Sequence, residues 1–344
     1  MHDMTLIDAA SRAAHLWPDY RPTRLLELPA LARAANVRRA FAKLENERPL
    51  GNFKVLGGMT AGLRALARAF DKDPRDTPSR RLICASDGNH GLAVAAAAQR
   101  AGARASIYLP ATVSRDRAAR IESQGGEIVW IRGTYDDAVE AACSAASRGE
   151  GLLIPDTTSD PHDAVVADVM AGYRLLTREL EAQWREHAGE HPSHVFVQAG
   201  VGGLAAAIAD GLRGTPCEPA RLVIVEPASA ACVGHALALG YPARIDGDLH
   251  TCADMLACGL ASAPAIEVLL RHDARAVVVG EAELQEGVPK LRSAGGPATT
   301  PSGAAGLAGL AHVAAREALR REHRLDANSV VLLVVTEGAF DPPG

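Results

Sequence analysis

Short apolar runs alternate with amphipathic segments along most of the chain, and each kind of segment predicts a different element. Apolar runs predict strands at 82–85, 104–109, 127–131, 152–154, 194–198, 221–225, 276–279 and 329–335. Amphipathic or alanine-rich segments predict helices at 57–70, 91–101, 114–124, 135–147, 163–186, 203–212 and 303–321. Because strands separated by helices are joined by crossover connections, the pattern predicts an α/β fold with parallel sheets.

The first 50 residues lack this alternation. Pro22 and Pro29 bound a segment that is predicted to be extended, a short helical pattern follows at 30–35, and 40–45 predicts another short element. We therefore predict an N-terminal arm that precedes the main α/β region.

Size and charge narrow the class of protein. At 344 residues the chain is long enough for two domains, or for one large domain with a split. Its net charge of −5, with 22% charged residues and no basic block, argues against a surface for nucleic acid or for a membrane. The expected partner is a small molecule.

Targeting and cysteine patterns predict a soluble, cytoplasmic protein. Segment 1–10 carries acids and has no basic start followed by an apolar core, so it does not predict a signal peptide, and no apolar run reaches the length of a membrane span. The six cysteines form no Cys-x-x-Cys pair, and the twelve histidines show no ligand spacing. Reduced thiols and no metal site are therefore expected.

The stretch 50–58, Leu-Gly-Asn-Phe-Lys-Val-Leu-Gly-Gly, places Lys54 in a mostly apolar run just before a predicted helix. A buried lysine has a lowered pKa and is a neutral nucleophile, and such an amine condenses with an aldehyde, which is how pyridoxal phosphate is held as a Schiff base. The alternative is a lysine whose stem packs on apolar neighbours while its ammonium reaches water. This stretch by itself favours the alternative.

A second polar stretch, Ser86-Asp87-Gly88-Asn89-His90-Gly91, lies between a predicted strand and a predicted helix. Such a junction lies at the carboxyl edge of a parallel sheet, where ligands bind, and glycines let the backbone approach a ligand closely. Serine, aspartate and asparagine are also good helix caps, so a capping turn is an equally strong alternative.

Two further stretches carry candidate chemistry. Gly200, Val201, Gly202 and Gly203 begin a predicted helix, where backbone N–H groups make an anion site suited to a phosphate ester, but the loop is not the dinucleotide fingerprint. Thr336 ends the last predicted strand, and its hydroxyl could bond a ring nitrogen. More often such a threonine is only the end of a strand.

In combination these stretches are much more specific than any one of them, and they occur in the order found in fold type II pyridoxal phosphate enzymes, the tryptophan synthase β-like group. More narrowly, the chain resembles the diaminopropionate ammonia-lyases, and the resemblance spans residues 21–340. The stretches that carry it are 52–58, 87–91, 156–158 (Asp-Thr-Thr), 170–173 (Met-Ala-Gly-Tyr), 225–227 (Val-Glu-Pro), 256–259 (Leu-Ala-Cys-Gly), 302–304 (Ser-Gly-Ala) and 336–338 (Thr-Glu-Gly).

The resemblance implies a cofactor and an architecture. Pyridoxal 5'-phosphate would be linked to Lys54, with Asn89 at its ring hydroxyl, the loop 200–203 at its phosphate and Thr336 at its pyridine nitrogen. Two open, parallel-rich α/β domains would hold the cofactor in the cleft between them. The large domain would comprise 1–80 and 162–344, and the small mobile domain 81–161. A homodimer is implied by the same analogy.

The resemblance to the diaminopropionate ammonia-lyases depends on two aspartates. Asp87 and Asp156 match the two active-site aspartates of the diaminopropionate ammonia-lyases, whereas threonine and serine dehydratases usually have alanine or serine at the place of Asp87. Two carboxylates suit a substrate with two ammonium groups, because an unpaired cation in a closed site is costly. The implied reaction is α,β-elimination from 2,3-diaminopropionate to pyruvate and ammonia, with Lys54 or Asp87 as the base at Cα.

The same resemblance predicts a substrate site and contains two departures. Ser86, Asp87, Gly88, His90 and Asp156 are the predicted substrate contacts. Pro301 stands where relatives commonly have a glutamate before Ser-Gly, and 157–159 (Thr-Thr-Ser) lacks an expected aromatic residue. These departures leave the choice of substrate open.

Other functions on this scaffold stay open as well. A threonine or serine dehydratase or a racemase would not need Asp87, and an enzyme of biosynthetic β-elimination or β-replacement would act on another amino acid. A non-catalytic binding subunit is disfavoured because Lys54, Asn89 and the glycine loop are intact. A nicotinamide enzyme is disfavoured because only Glu226, followed by a proline, could serve as its ribose-binding acid.

Overall fold

The computed structural model describes residues 20–72, 81–86, 88–187 and 191–339. Within them the strands are β1 Leu25–Glu27, β2 Arg39–Leu44, β3 Arg81–Ala85, β4 Arg104–Pro110, β5 Gly126–Ile131, β6 Leu152–Leu153, β7 His194–Gln198, β8 Arg221–Pro227, β9 Arg275–Val279 and β10 Val330–Val335. The helices are α1 Pro29–Ala35, α2 Lys54–Lys72, α3 Asn89–Arg100, α4 Arg115–Ser123, α5 Tyr135–Ser147, α6 Ala164–Trp184, α7 Gly203–Leu212, α8 Cys232–Leu239, α9 Ala263–Arg271, α10 Glu281–Ser293, α11 Pro301–Ala314 and α12 Glu317–His323. None of these helices is both long and apolar enough to cross a lipid bilayer.

The described residues fall into two compact units, each with its own sheet. The first unit comprises Tyr20, 54–158 and 162–175, and the second comprises 21–53, 159–161 and 176–339. Both sheets have helices in their crossover connections, so the predicted α/β class is confirmed.

The sheet of the first unit has the strand order β5-β4-β3-β6, and its neighbouring strands are parallel. The alanine-rich helix α3 packs against it, and Leu92, Ala93, Val94 and Ala95 are all buried. Small side chains on this helix let another helix, α2, approach closely, because a Cβ added at Gly58 would lie 2.6 Å from the Cβ of Ala93.

The sheet of the second unit has the order β1-β2-β10-β7-β8-β9. Strand β10 is the unbroken apolar run 330–335, as expected for a central strand that is covered on both faces, and all six of its residues are buried. It pairs in parallel with β7 on one side and β2 on the other. Parallel neighbours end at the same edge, so the residues that follow β7 and β10 lie near one another.

For residues 20–50 the prediction of an N-terminal arm is wrong, and its first part, 1–19, lies outside the described residues. Strand β2 is an inner strand of the six-stranded sheet, and Ala40, Phe41 and Ala42 are completely buried there. Strand β1 pairs with β2 in antiparallel orientation. The other strand pairs of this sheet are parallel, so the sheet is parallel-rich rather than fully parallel. The short length of β1, three residues, explains why its apolar pattern was too brief to recognise.

The helix predicted at 303–321 is instead two helices. Helix α11 ends at Ala314, and α12 begins at Glu317 after a cap at Arg316 whose backbone is extended. The sequence analysis also made no prediction for α8, α9 and α10.

The predicted domain boundaries at 80/81 and 161/162 stay a prediction. The compact units differ from them because α2 and 162–175 group with the four-stranded sheet. A Cβ added at Gly172 would lie 2.3 Å from the carbonyl oxygen of Leu56, and one added at Gly57 would lie 2.5 Å from the ring of Tyr173. These two contacts pack the first part of α6 onto the first turn of α2.

Candidate active site

Lys54 is the first residue of α2, and its ammonium forms an ion pair with the carboxylate of Asp156. Both side chains belong to the first unit, and 21% of the lysine side chain and 11% of the aspartate side chain are exposed. The structure therefore brings together two of the predicted catalytic residues, which are 102 positions apart in the chain. Lys54 is partly buried, but its amine has a polar partner.

Asp156 has a second partner, Tyr135, whose hydroxyl donates to the other carboxylate oxygen at 3.3 Å. Burial by itself would raise the pKa of Asp156, but the positive charge of Lys54, with the two hydrogen bonds, outweighs burial and holds this pKa well below its usual range. Asp156 is therefore an anion at neutral pH, with one oxygen on an ammonium and the other on a phenol.

His90 fixes the segment that leads to Asp156. Its Nε2 lies 2.8 Å from the carbonyl oxygen of Ile154, two residues before the aspartate, so this nitrogen carries the proton and donates. Burial lowers the pKa of His90, with Asp156 opposing that shift and Lys54 adding to it, and the ring is therefore neutral at neutral pH. In this arrangement His90 supports the position of the carboxylate.

The polar loop after β3 is held by its own serine. The hydroxyl oxygen of Ser86 accepts from the backbone N–H groups of Gly88 at 2.9 Å and Gly91 at 2.8 Å. Gly88 has a φ of 145°, which a residue with a side chain rarely adopts. Asn89 follows as the first residue of α3 and is buried, while Asp87 lies outside the described residues. The capping alternative thus holds for Ser86.

Tyr173 is a further buried group beside Lys54 that the sequence analysis quoted but gave no role. Burial raises the pKa of its phenol to about 12. Its ring packs on Gly57, one helical turn beyond the lysine, and this close approach explains why the sequence has glycine there.

In the second unit, the glycine loop connects β7 to α7. Gly202 has a φ of 94°, and Gly203 is the first residue of the helix. A Cβ added at Gly200 would lie 3.1 Å from the sulfur of Cys258 and 3.3 Å from the carbonyl oxygen of Met255, so the space beside the loop is narrow. The first N–H groups of α7 have no partner within the helix, as at any helix start. These N–H groups stay the predicted contacts of a phosphate.

Glu226 shapes the other side of this loop. Its buried carboxylate accepts at 2.7 Å from the backbone N–H groups of both Val233 and Gly234 in the first turn of α8. Cys232, which begins that helix, donates from its thiol to the carbonyl oxygen of Gly200 at 3.2 Å. Glu226 is therefore a helix cap, which accounts for it without any role in binding a ribose.

We expect Glu226 to make stability depend on pH. Burial raises its pKa from 4.5 to about 7, although the two N–H bonds oppose the shift, so the folded state binds its proton more tightly than the unfolded state. Between about pH 4.5 and 7 the free energy of unfolding should fall as pH rises, by at most about 3 kcal/mol. Denaturant titrations of Glu226→Gln should lose this slope, and those of the exposed control Glu317→Gln should keep it. An identical slope in Glu226→Gln would contradict the assignment.

Thr336 follows β10 and is buried at the same sheet edge as the glycine loop. Its hydroxyl oxygen accepts from the side-chain amide of Gln198 at 2.9 Å, and its backbone carbonyl accepts from the N–H of Phe53 at 3.0 Å. Lys54 is the next residue after Phe53, so the backbone that leads to the lysine is tied to Thr336. Gln198 is a residue that the sequence analysis missed.

Comparisons with known proteins identify the family. The sequence matches the family described as "Pyridoxal-phosphate dependent enzyme" over residues 16–337. It is 31% identical over 342 residues to the "Diaminopropionate ammonia-lyase" of Escherichia coli (strain K12), with 94% of this chain and 85% of that protein covered. It is 28% identical over 274 residues to the "Serine dehydratase-like" protein of Homo sapiens, with 80% of this chain and 77% of that protein covered.

A solved structure gives the same result. The crystal structure of diaminopropionate ammonia-lyase from Escherichia coli in complex with an aminoacrylate-PLP azomethine reaction intermediate matches with a TM-score of 0.85 and 30% sequence identity. The match covers 97% of this chain and 88% of that one. The chain therefore belongs to the family of pyridoxal-phosphate dependent enzymes.

Proposed function

We propose that this protein is a pyridoxal phosphate-dependent ammonia-lyase that converts 2,3-diaminopropionate and water to pyruvate and two molecules of ammonia. The observation that carries the proposal is the carboxylate of Asp156, which is largely buried, ionised and paired with an ammonium group. A second ammonium on the substrate fits such a carboxylate, and few other β-substituted amino acids offer one.

The residues present fit the cofactor. The loop 200–203 offers backbone N–H groups at a helix start, and a Cβ at Gly200 would be in tight contact, 3.1 Å, with the sulfur of Cys258. Thr336 offers a hydroxyl whose oxygen already accepts a hydrogen bond. Lys54 offers a primary amine for the aldehyde, and Asn89 is the candidate for the ring hydroxyl. When bound, the cofactor supplies an electron sink for the bonds at Cα.

The ion pair of Lys54 with Asp156 indicates a separate role for each residue in binding and catalysis. If Lys54 held the cofactor, its charge would no longer lower the pKa of Asp156, and a substrate ammonium would take the place of that charge beside the carboxylate. This anion then attracts the substrate ammonium, and Tyr135 and His90 keep it oriented. With the cofactor bound to substrate, the amine of Lys54 would be the base for the Cα proton.

Asp87 would act as the second carboxylate and as the base on the face opposite Lys54. That arrangement would let the enzyme process D as well as L isomers. Ser86, Gly88 and His90 stay predicted substrate contacts, although Ser86 and His90 also have the local structural roles described above.

The first experiment is a spectrum of the purified protein followed by substrate addition. We expect a visible band of lysine-linked cofactor and pyruvate from L- and D-2,3-diaminopropionate, but little 2-oxo acid of any kind from serine or threonine. A band without pyruvate from diaminopropionate would refute the substrate while keeping the cofactor. Absence of both would refute the proposal.

Asp156→Asn should discriminate between substrates. Removing the charge while keeping the shape should lower kcat/KM for diaminopropionate about 10²- to 10³-fold, since an uncompensated buried charge costs about 2–5 kcal/mol. Turnover of serine should fall much less, because its side chain is neutral. The matched control is Asp168→Asn, which removes the charge of a carboxylate that pairs with Arg64 and Arg68 in the same unit. This variant should leave kcat/KM unchanged. Equal losses for both substrates would contradict a role in binding the second ammonium.

A second candidate function is a serine or threonine dehydratase, favoured by the similarity to the human serine dehydratase-like protein. The variant Asp87→Ala separates the two functions. A diaminopropionate lyase should lose at least about tenfold to a hundredfold in kcat/KM, since general base catalysis contributes about 10²–10⁴. A dehydratase should be little affected. Chiral analysis of the amino acid that remains in the same assay tests for racemase activity. Adding a nucleophile to the assay tests for β-replacement.

We also propose that the protein is a cytoplasmic homodimer, on the family resemblance and the absence from the described helices of one that could span a membrane. Light scattering on the purified holoenzyme tests this assembly. A mass of about one chain, 35.9 kDa, across the micromolar range would refute it.

A further inference from the structure

A tight turn, Arg48-Pro49-Leu50-Gly51, leads into the segment that carries Lys54. It is closed by a hydrogen bond from the N–H of Gly51 to the carbonyl oxygen of Arg48 at 2.8 Å. Leu50, the third residue, has a φ of 68° and a ψ of 5°, which fit the third position of a type II turn. Glycine or asparagine is usual at that position, because at positive φ a Cβ crowds the carbonyl oxygen that follows it.

Two successive residues of this turn have a left-handed backbone, and only the second is glycine. Gly51 has a φ of 74°, so the glycine stands one position after the one that the turn favours. The side-chain amide of Asn52 donates to the carbonyl oxygen of Leu50 at 3.0 Å. A half-buried leucine keeps such a strained conformation only where its surroundings fix it.

The surroundings that fix the turn include the residues that follow β10. The N–H of Gly338 donates to the carbonyl oxygen of Gly51 at 3.0 Å, and the N–H of Phe53 donates to the carbonyl oxygen of Thr336 at 3.0 Å. Both bonds belong to an antiparallel pairing within the second unit. Since Phe53 directly precedes Lys54, the direction in which the chain enters α2 depends on the turn and on this pairing.

The turn has a less strained alternative. A type I turn closes with the same hydrogen bond but has a φ of about −90° at its third position, where a leucine is relaxed. Conversion to it would flip the peptide between Pro49 and Leu50 and change the orientation in which the next residues leave the turn. The observed path of the chain towards Lys54 therefore requires positive φ at Leu50.

We propose that Leu50 is a positioning residue whose left-handed backbone fixes the amine of Lys54 for its reactions with the cofactor aldehyde and with the Cα proton. The inference rests on the proposed function, in which Lys54 carries out both reactions. Leu50 acts through the backbone that connects it to the lysine. The reaction thus depends on the conformation at position 50 and not on the apolar side chain.

Two substitutions separate the conformation of the backbone from the packing of the side chain. Leu50→Asn removes the apolar side chain, but asparagine adopts positive φ more readily than leucine. Leu50→Ile keeps the size and polarity, but its branched Cβ strongly disfavours positive φ. If the backbone conformation matters, the asparagine variant keeps its function and the isoleucine variant loses it. If packing matters, the order is reversed.

The first measurement is the rate at which added pyridoxal phosphate produces the visible band in full-length protein depleted of cofactor. The second is kcat per bound cofactor, with the isotope effect of substrate deuterated at Cα. In Leu50→Ile both rates should fall about tenfold to a hundredfold, as expected when a reacting group is misplaced by about 1 Å, and the isotope effect should rise. Leu50→Asn should stay within about twofold of the wild type, a bound that one misplaced group would exceed. A smaller folded fraction would not change the isotope effect.

The control for strain by itself is Arg324→Ile. Arg324 is exposed at the end of α12 and has a φ of 56°, so the variant places the same branched residue in the same backbone conformation elsewhere. It should lower the midpoint of urea unfolding. The rate of band formation, kcat per bound cofactor and the isotope effect should match the wild type.

The outcomes separate the inference from the proposed function. A folded Leu50→Ile enzyme with wild-type rates and isotope effect overturns the inference alone, as does a folded Leu50→Asn enzyme that loses them. A wild-type protein that never forms the band overturns both. A band without pyruvate refutes the substrate, and the rate of band formation then decides the inference. If Leu50→Ile does not fold, Leu50→Asn decides, and Leu50→Gly replaces Leu50→Asn if that variant does not fold, because glycine also adopts positive φ.

Discussion

Replacing Lys54 by alanine is expected to abolish both the visible absorbance of the lysine-linked cofactor and the turnover of every amino acid substrate. The alanine has no amine for the cofactor aldehyde and no base for the Cα proton. We expect kcat/KM to fall by at least about 10³-fold, since proton transfer by itself contributes about 10²–10⁴. Absorbance spectra and pyruvate assays on the same preparation measure the two effects together.

The control for this change is Lys290→Ala. Lys290 is half exposed and forms an ion pair with Glu286 one helical turn away, so its removal should leave the spectrum and kcat/KM unchanged. Circular dichroism of Lys54→Ala should match the wild type, because the lost contact is one ion pair at the start of α2. A folded Lys54→Ala enzyme that keeps the band and the activity would remove Lys54 from the mechanism.

The helix that begins at Lys54 could be predicted from the local sequence, but the partner of this lysine could not. The pattern of 57–70 predicted a helix, and the structure begins it three residues earlier, at Lys54 itself. The apolar run around Lys54 by itself favoured an ammonium that reaches water. The ammonium instead meets Asp156, a contact that depends on how β6 and α2 pack and that no local pattern contains.

Strands with long apolar runs were predicted well because two covered faces require nearly every residue to be apolar. The predicted strand at 194–198 and the predicted helices at 135–147 and 203–212 match the structure at both ends. The strands β1 and β2 were not predicted as strands because their pairing, and not their local pattern, stabilises them. Strand β1 is brief and pairs with β2, and β2 pairs with β10, which is distant in the sequence.

The groups that support the site were the hardest to predict. Tyr135 was predicted only as the start of a helix, yet its hydroxyl reaches Asp156 from α5. Gln198 was predicted only as the end of a strand, yet its side-chain amide reaches carbonyl oxygens of α11 and β10 that are more than 100 positions away. Supporting residues act through contacts of high sequence separation, so a motif does not identify them.

A buried charge cluster in the second unit carries the largest expected effect on stability. Arg48 donates to Glu45 at 2.8 Å and to both oxygens of Glu179 at 2.7 Å, and Lys43 donates to Glu179 at 2.6 Å. None of these four side chains is more than 3% exposed. Two cations and two anions thus neutralise one another inside the protein.

Replacing Arg48 by methionine should lower the free energy of unfolding by about 3–5 kcal/mol, since it leaves the cluster with two carboxylates and one ammonium. The methionine fills much of the same space, so the loss comes mainly from uncompensated charge. Urea unfolding at a fixed cofactor concentration measures the change. The control is Arg64→Met, which leaves Arg68 on Asp168 at a more exposed position and should cost no more than about 1 kcal/mol.

The double variant Arg48→Met/Glu179→Gln tests the cause of that loss. It leaves Lys43 with Glu45, one charge of each sign, so the cluster is neutral again. If uncompensated charge dominates, the double variant should recover part of the stability lost in Arg48→Met, whereas lost hydrogen bonds by themselves would make it less stable than either single variant.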